Sequence, residues 1–156
     1  MARAPILAAG GIALRGARSP LIAVVQLRKN KDWVLPKGKL ARNENAIAAA
    51  RREVWEETGH DVHVHEFLGS IAYDAGRRPK VVQFWRMQAS EEPVRELMKD
   101  VKAVQWLPLK GAVKKLTHPR EQLFLRNVGP VALRAARQET HSGFFRHIRA
   151  WVRSKL

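Results

Sequence analysis

The stretch Gly38–Gly59, GKLARNENAIAAARREVWEETG, decides how the rest of the chain is read. From about Glu44 its apolar residues Ala46, Ile47, Ala50 and Val54 fall at i, i+1, i+4 and i+8, which predicts an amphipathic helix. Asn43 or Asn45 can cap its start, and Gly59 is placed to end it in the left-handed conformation. Glu53, Glu56 and Glu57 lie on little more than one turn of this helix. At about 100° per residue their carboxylates fan over about a third of its circumference. Like charges so spaced repel by about 0.2–0.5 kcal/mol per pair even when solvated. A cation in front of the cluster would relieve that repulsion; a solvated acidic face is the bland alternative.

Working outward, the flanks read as strands. Ala4–Leu14 is apolar and predicts a buried strand whose glycines permit a bulge. Leu21–Leu27 is a second, continuously apolar strand, and Trp33–Leu35 a short third one stopped by Pro36, which cannot donate to a ladder. Beyond the helix, Val62–Tyr73 alternates as a strand with a kink expected at Gly69. A turn over Asp74–Pro79 leads to a returning strand, Lys80–Gln88. Ser90–Lys99 reads as a loop with a helical turn, and Val101–Leu107 as a further strand. Lys110–Leu116 and a segment starting at His118-Pro119 read as helices, the second broken or kinked by Gly129-Pro130. Gly143 then separates a last segment, FFRHIRAWVRSKL. Strands, one helix, more strands and then helices predict an α+β layered domain with a mixed sheet.

Bulk properties bound the function. The chain has 156 residues, 46% of them hydrophobic and 28% charged, which suits one globular domain with a real core. No apolar run is long enough to span a bilayer, and the N-terminus does not read as a signal peptide. The absence of cysteine excludes disulfides, thiolate metal sites and cysteine nucleophiles, and fits a cytoplasmic protein. The formal charge is +15, and residues 109–156 hold 11 Lys/Arg against 2 Asp/Glu. Such a field draws in polyanions such as nucleotides, inositol phosphates, nucleic acid or anionic lipid. We expect a domain over residues 1–138 and a basic amphipathic extension over 139–156. In that extension Phe144, Phe145, Ile148, Trp151 and Val152 oppose Arg146, Arg149, Arg153 and Lys155. Docking on the domain or packing in a homodimer is its default reading.

Gly38, five residues, Glu44, seven residues and then Arg52-Glu53-Val54-Trp55-Glu56-Glu57-Thr58-Gly59 resembles the Nudix box. His60 departs from it, standing where an aliphatic residue is usual. The resemblance implies an α/β/α sandwich with a mixed β-sheet and the box as loop–helix–loop. It also implies a Mg²⁺-dependent hydrolase of nucleoside diphosphates linked to another moiety. Glu53, Glu56 and Glu57 would be metal ligands together with the carbonyl of Lys37. Glu53 is the favoured candidate for activating water, Arg52 would orient the glutamates, and Gly38, Glu44 and Gly59 would be structural. Within the family the pattern looks most like enzymes of dinucleoside polyphosphates, such as the bacterial diadenosine tetraphosphate hydrolases, or of diphosphoinositol polyphosphates.

The physical reading agrees. Mg²⁺, with Mn²⁺ as a substitute, is a hard cation held by a few carboxylates plus substrate phosphates. Anhydride hydrolysis needs neutralised phosphate oxygens and an activated water. Lys37 and Lys39, beside the glycine, can contact polyphosphate, as can Lys80 and Tyr73 at the hairpin; Asp100 is a candidate extra acid. Trp33, Trp85 and Trp106 lie on apolar strands, where packing is the better reading than base stacking. Two competing functions are carried: a mutator-type pyrophosphatase of oxidised nucleoside triphosphates, and a basic nucleic-acid-binding scaffold. The second is disfavoured, because a binding module has no need of mutually repelling acids.

Overall fold

The computed structural model describes residues 3–153, and the side chains at 144–152 lie outside that description. Strands β1 (Ile6–Arg15), β2 (Leu21–Leu27), β3 (Trp33–Val34), β4 (Lys37–Lys39), β5 (Val62–Ala75), β6 (Arg78–Ala89) and β7 (Val101–Leu107) form one seven-stranded sheet. Its main path runs β3-β2-β1-β6-β5, with β4 paired to β1 and β7 paired to β2. The sheet is mixed: β1 and β6 run parallel, and the other pairs are antiparallel.

Period-two alternation assigns each face its helices. Ala8, Ile12 and Leu14 of β1 join Ile22, Val24, Phe84, Leu116 and Leu125 in one core, beneath α2 (Leu109–Lys115) and α3 (Pro119–Arg153). Ala9 and Ala13 join Ala23, Met87, Ala49, Ala50 and Val54 in the other, beneath α1 (Ala46–Thr58). The α1 side is built largely of alanines on both helix and sheet, so helix and sheet can pack closely. The result is the expected α+β sandwich, helices on both faces of one mixed sheet.

Several local expectations need correction. The register of β1 against β6 runs unbroken from Ile6 to Leu14, so no bulge interrupts that pairing. The glycine at position 10 serves close approach instead, because a Cβ there would overlap the Pro36 carbonyl and the Lys37 side chain. In α1 the apolar stripe is rotated: Ala49 is buried, while Ile47 is 53% exposed. Gly129-Pro130 does not end a helix, since α3 continues through Pro130 and Gly143 to Arg153. Burial explains this persistence, because Leu125 before the proline and Ala132 and Ala136 after it all pack inward. Gly129 lies against Leu109, where a Cβ would clash, so the small residue lets α3 cross α2 closely. The expected apolar and basic faces of the segment after Gly143 lie outside the described side chains.

Candidate active site

Helix α1 begins and ends as its sequence requires. Asn45 caps it by accepting from the Ala48 amide at 2.8 Å, and Gly59 closes it at φ 77°, its amide donating to the Trp55 carbonyl. His60, the residue departing from the family pattern, is buried; it lies 2.8 Å from the Ser90 carbonyl through Nδ1 and edge-on to Trp106.

The carboxylates are organised by one guanidinium. Arg52 Nε and Nη2 donate to the two oxygens of Glu44 at 2.8 Å each, and Nη1 donates to Glu53 at 2.8 Å and to Glu56 at 3.1 Å. Nη2 also donates to the Lys39 carbonyl at 3.2 Å, which ties the helix to the loop before it. The paired hydrogen bonds from Arg52, helped by the Ala41 amide, hold Glu44 down at about 2. Glu44 therefore stays ionised and fixes the arginine that fixes the others.

Glu57 is different. It is buried and accepts a hydrogen bond from the Lys37 amide at 3.2 Å. Desolvation pushes its carboxyl up to about 8, against the pull of Lys37, with Glu53 and Asp100 adding repulsion. Burial likewise raises Glu53, although Arg52 opposes the shift. Gly38 makes this packing feasible, because a Cβ at that position would overlap the Glu53 carboxyl group outright.

Glu53 and Glu57 open on a cleft of about 520 Å³ whose other polar walls include Lys29, Lys37, Lys39, Arg52, Lys80 and Asp100. Glu56 does not line it, but meets Glu53 through their shared bonds to Arg52. Tyr73 does not line it either. It pairs across the hairpin with Lys80, whose Nζ lies 5.9 Å from the ring centre, and Arg120 covers the ring at 3.8 Å.

Lys37 is turned inward. Its Nζ lies 3.3 Å from the Leu35 carbonyl and 3.4 Å from Glu121 Oε1. Sequence reasoning missed Glu121, because an acid in the first turn of a helix reads as a solvated complement to the helix dipole. Here it is buried and also accepts from the Leu35 amide at 2.7 Å. Buried Arg86 was missed too, although a charge inside the apolar run of β6 signals a buried pair. It binds Glu66 at 2.7 Å and is bracketed by Glu139.

The same chain matches the NUDIX domain model over residues 4–128. It belongs to the Nudix family. It is 35% identical over 108 residues to the 8-oxo-(d)GTP phosphatase of Mycolicibacterium smegmatis, covering 67% of this chain and 32% of that protein. It is 32% identical over 85 residues to the asymmetrical bis(5'-nucleosyl)-tetraphosphatase of Mus musculus, covering 51% of this chain and 58% of that protein. The Nudix chain thus spans less than two thirds of the length of either relative. A solved Ap4A hydrolase of C. elegans superposes with a TM-score of 0.70 at 24% identity, covering 81% of this chain and 96% of that one. That likeness establishes the Nudix fold.

Proposed function

We propose that this Nudix chain hydrolyses phosphoanhydride bonds in nucleotide polyphosphates with the help of a divalent metal, and that dinucleoside polyphosphates are its substrates. One observation carries the reading: Glu53 and Glu57 converge, with Glu56 beside them on Arg52, at a cleft whose rim is lysine. Acids at the floor and cations at the rim suit a metal–polyphosphate complex.

The residues fit such a metal. Glu53, Glu56 and Glu57 offer hard carboxylate oxygens, the donors that Mg²⁺ and Mn²⁺ prefer. Burial disfavours the ionised form of the Glu57 carboxyl, and a divalent cation would supply the counterion which that form lacks. These three, with the Lys37 carbonyl at the loop, would hold it. The metal would supply charge neutralisation on the phosphate oxygens and would ease deprotonation of the attacking water.

The chain's own groups do the rest. Lys29, Lys39 and Lys80 hold and orient the phosphate oxygens. Glu53, fixed by Arg52 and raised by burial, takes the proton from the attacking water. The water oxygen bonds to phosphorus, the anhydride P–O bond breaks, and the leaving phosphate carries away the bonding pair. Asp100, on the same cleft, is the second acid available there. Tyr73 acts by holding Lys80 from behind. A cytoplasmic setting agrees with such substrates, and no described helix is long and apolar enough to cross a membrane.

A second reading is favoured by the name of the 35% identical relative: a nucleoside triphosphate carrying an oxidised base. A panel of diadenosine tetraphosphate, 8-oxo-dGTP and a diphosphoinositol polyphosphate, assayed with and without Mg²⁺ and with products identified, separates the readings. Metal-dependent release of ATP and AMP from the first, faster than any turnover of the second, is the expected result. Preference for 8-oxo-dGTP selects the second reading, and no turnover of any of the three contradicts both.

A further inference from the structure

The helical layer on the sheet face opposite α1 carries a charge pattern that the cleft does not use. Between Leu109 and Gly143 the chain has seven basic residues, Lys110, Lys114, Lys115, Arg120, Arg126, Arg134 and Arg137, and two acids, Glu121 and Glu139. Of the two acids, Glu121 points into the domain, while Glu139 is half exposed. Glu121 is buried against Leu35 and Lys37, and Glu139 is bound to Arg86 and His65. From Leu109 to Gln138 the surface of this layer is therefore left with cations and no exposed acid. Lys110, Lys114 and Arg126 are exposed, and among the described residues none forms an ion pair.

Those three cations surround a groove. It lies between α2 and α3, has a volume of about 570 Å³, and is floored by Leu109, Val113 and Pro130. No residue lines both this groove and the cleft that holds Glu53. A concavity of this size falls in the range of about 300–1,000 Å³ that accepts a small organic group. An aliphatic floor ringed by cations complements a flat apolar ring flanked by phosphates. We propose that the outer face of the α2–α3 layer binds single-stranded nucleic acid. The backbone phosphates lie on Lys110, Lys114 and Arg126, and one unstacked nucleoside sits in the groove on Leu109, Val113 and Pro130. A duplex keeps its bases stacked inside and has nothing to place there, whereas a single strand does.

Fluorescence anisotropy of the full chain with a fluorescein-labelled single-stranded 12-nucleotide RNA tests this, in EDTA so that no divalent metal draws phosphates to the catalytic cleft. Lys110→Glu/Lys114→Glu/Arg126→Glu is compared with a control of equal charge change, Arg18→Glu/Arg77→Glu/Lys102→Glu. The expected result is that the groove variant weakens binding about tenfold or more and flattens the salt dependence by about 2, from about 0.7 per lost phosphate contact on a single strand. The control shifts binding less than about threefold on the same scale. Nucleotide hydrolysis is unchanged in the groove variant. No RNA binding at low salt overturns the proposal, as does equal weakening in both variants, which would mean diffuse attraction. Displacement of the RNA by poly-glutamate at equal charge would also overturn it, since the surface would then take an acidic protein instead.

Discussion

Glu121 Oε1 lies 3.4 Å from Lys37 Nζ while accepting the Leu35 amide at 2.7 Å, so α3 grips the chain just before the box glycine. From the other side the Lys37 amide donates to Glu57. One buried acid thus fixes the loop on which two of the candidate metal ligands rest. Removing it leaves the Leu35 amide unmatched and a half-buried ammonium unpaired. Glu121→Ala is therefore expected to lower stability by about 3 kcal/mol, read from urea denaturation. Glu121→Gln keeps an acceptor for Leu35 and should cost about 1 kcal/mol. Wild-type stability in the alanine variant would mean that the pair holds nothing.

Gly38→Ala tests the contact between loop and carboxylate. The new methyl overlaps the Glu53 carboxyl group, and Gly38 has no left-handed φ to add strain. The fold should persist while kcat drops about 100-fold, the usual scale of displacing a reacting group by about an ångström. Steady-state kinetics beside a circular dichroism spectrum check it; full activity would place Glu53 outside the chemistry.

Arg52→Lys removes a planar donor set that no ammonium can replace. Lysine cannot bind both Glu44 oxygens and still reach Glu53 and Glu56. Metal affinity should weaken about 10–100-fold, as when other supporting partners of metal ligands are removed. Calorimetric titration with Mg²⁺ measures it.

The Glu57 carboxyl gives a pH dependence whose sign is fixed. Its pKa is raised from 4.5 to about 8, so between those values the folded chain holds a proton that the unfolded chain has lost. Metal-free stability attributable to this group therefore falls as pH rises from about 4.5 to about 8. Metal binding needs the ionised form, so Mg²⁺ affinity should rise with pH over the same window, with proton release on binding. Thermal melts in EDTA and Mg²⁺ titrations in buffers of different ionisation enthalpy test both halves. Glu57→Gln should flatten both trends.

How much of this was legible in the sequence depended on whether the signal was local. The box announced itself by spacing; Gly59 follows from the rules of helix ends, which left the start open between Asn43 and Asn45, and the Arg52–Glu56 pair follows from i, i+4 geometry. The strands β2 and β7 could be bounded because each is a clean apolar or alternating run between breakers. By contrast, the inward turn of Lys37 depends on Glu121, 84 residues later, and nothing in either neighbourhood reports the other. Gly129-Pro130 reads locally as a break or a kink, yet the buried stripe of Leu125, Ala132 and Ala136 carries α3 through without a break. Ile47 and Ala49 exchanged roles because an alanine-rich helix gives little hydrophobic contrast to fix its rotation.

The central claim is that Glu53, Glu56 and Glu57 form the metal-holding edge. Its most direct test is Mn²⁺ binding followed by electron paramagnetic resonance, in the wild type and in Glu56→Gln and Glu57→Gln. The account predicts saturable binding in the wild type, weakened about tenfold or more by either substitution on the scale of lost metal ligands. Equal affinity in all three proteins would contradict it.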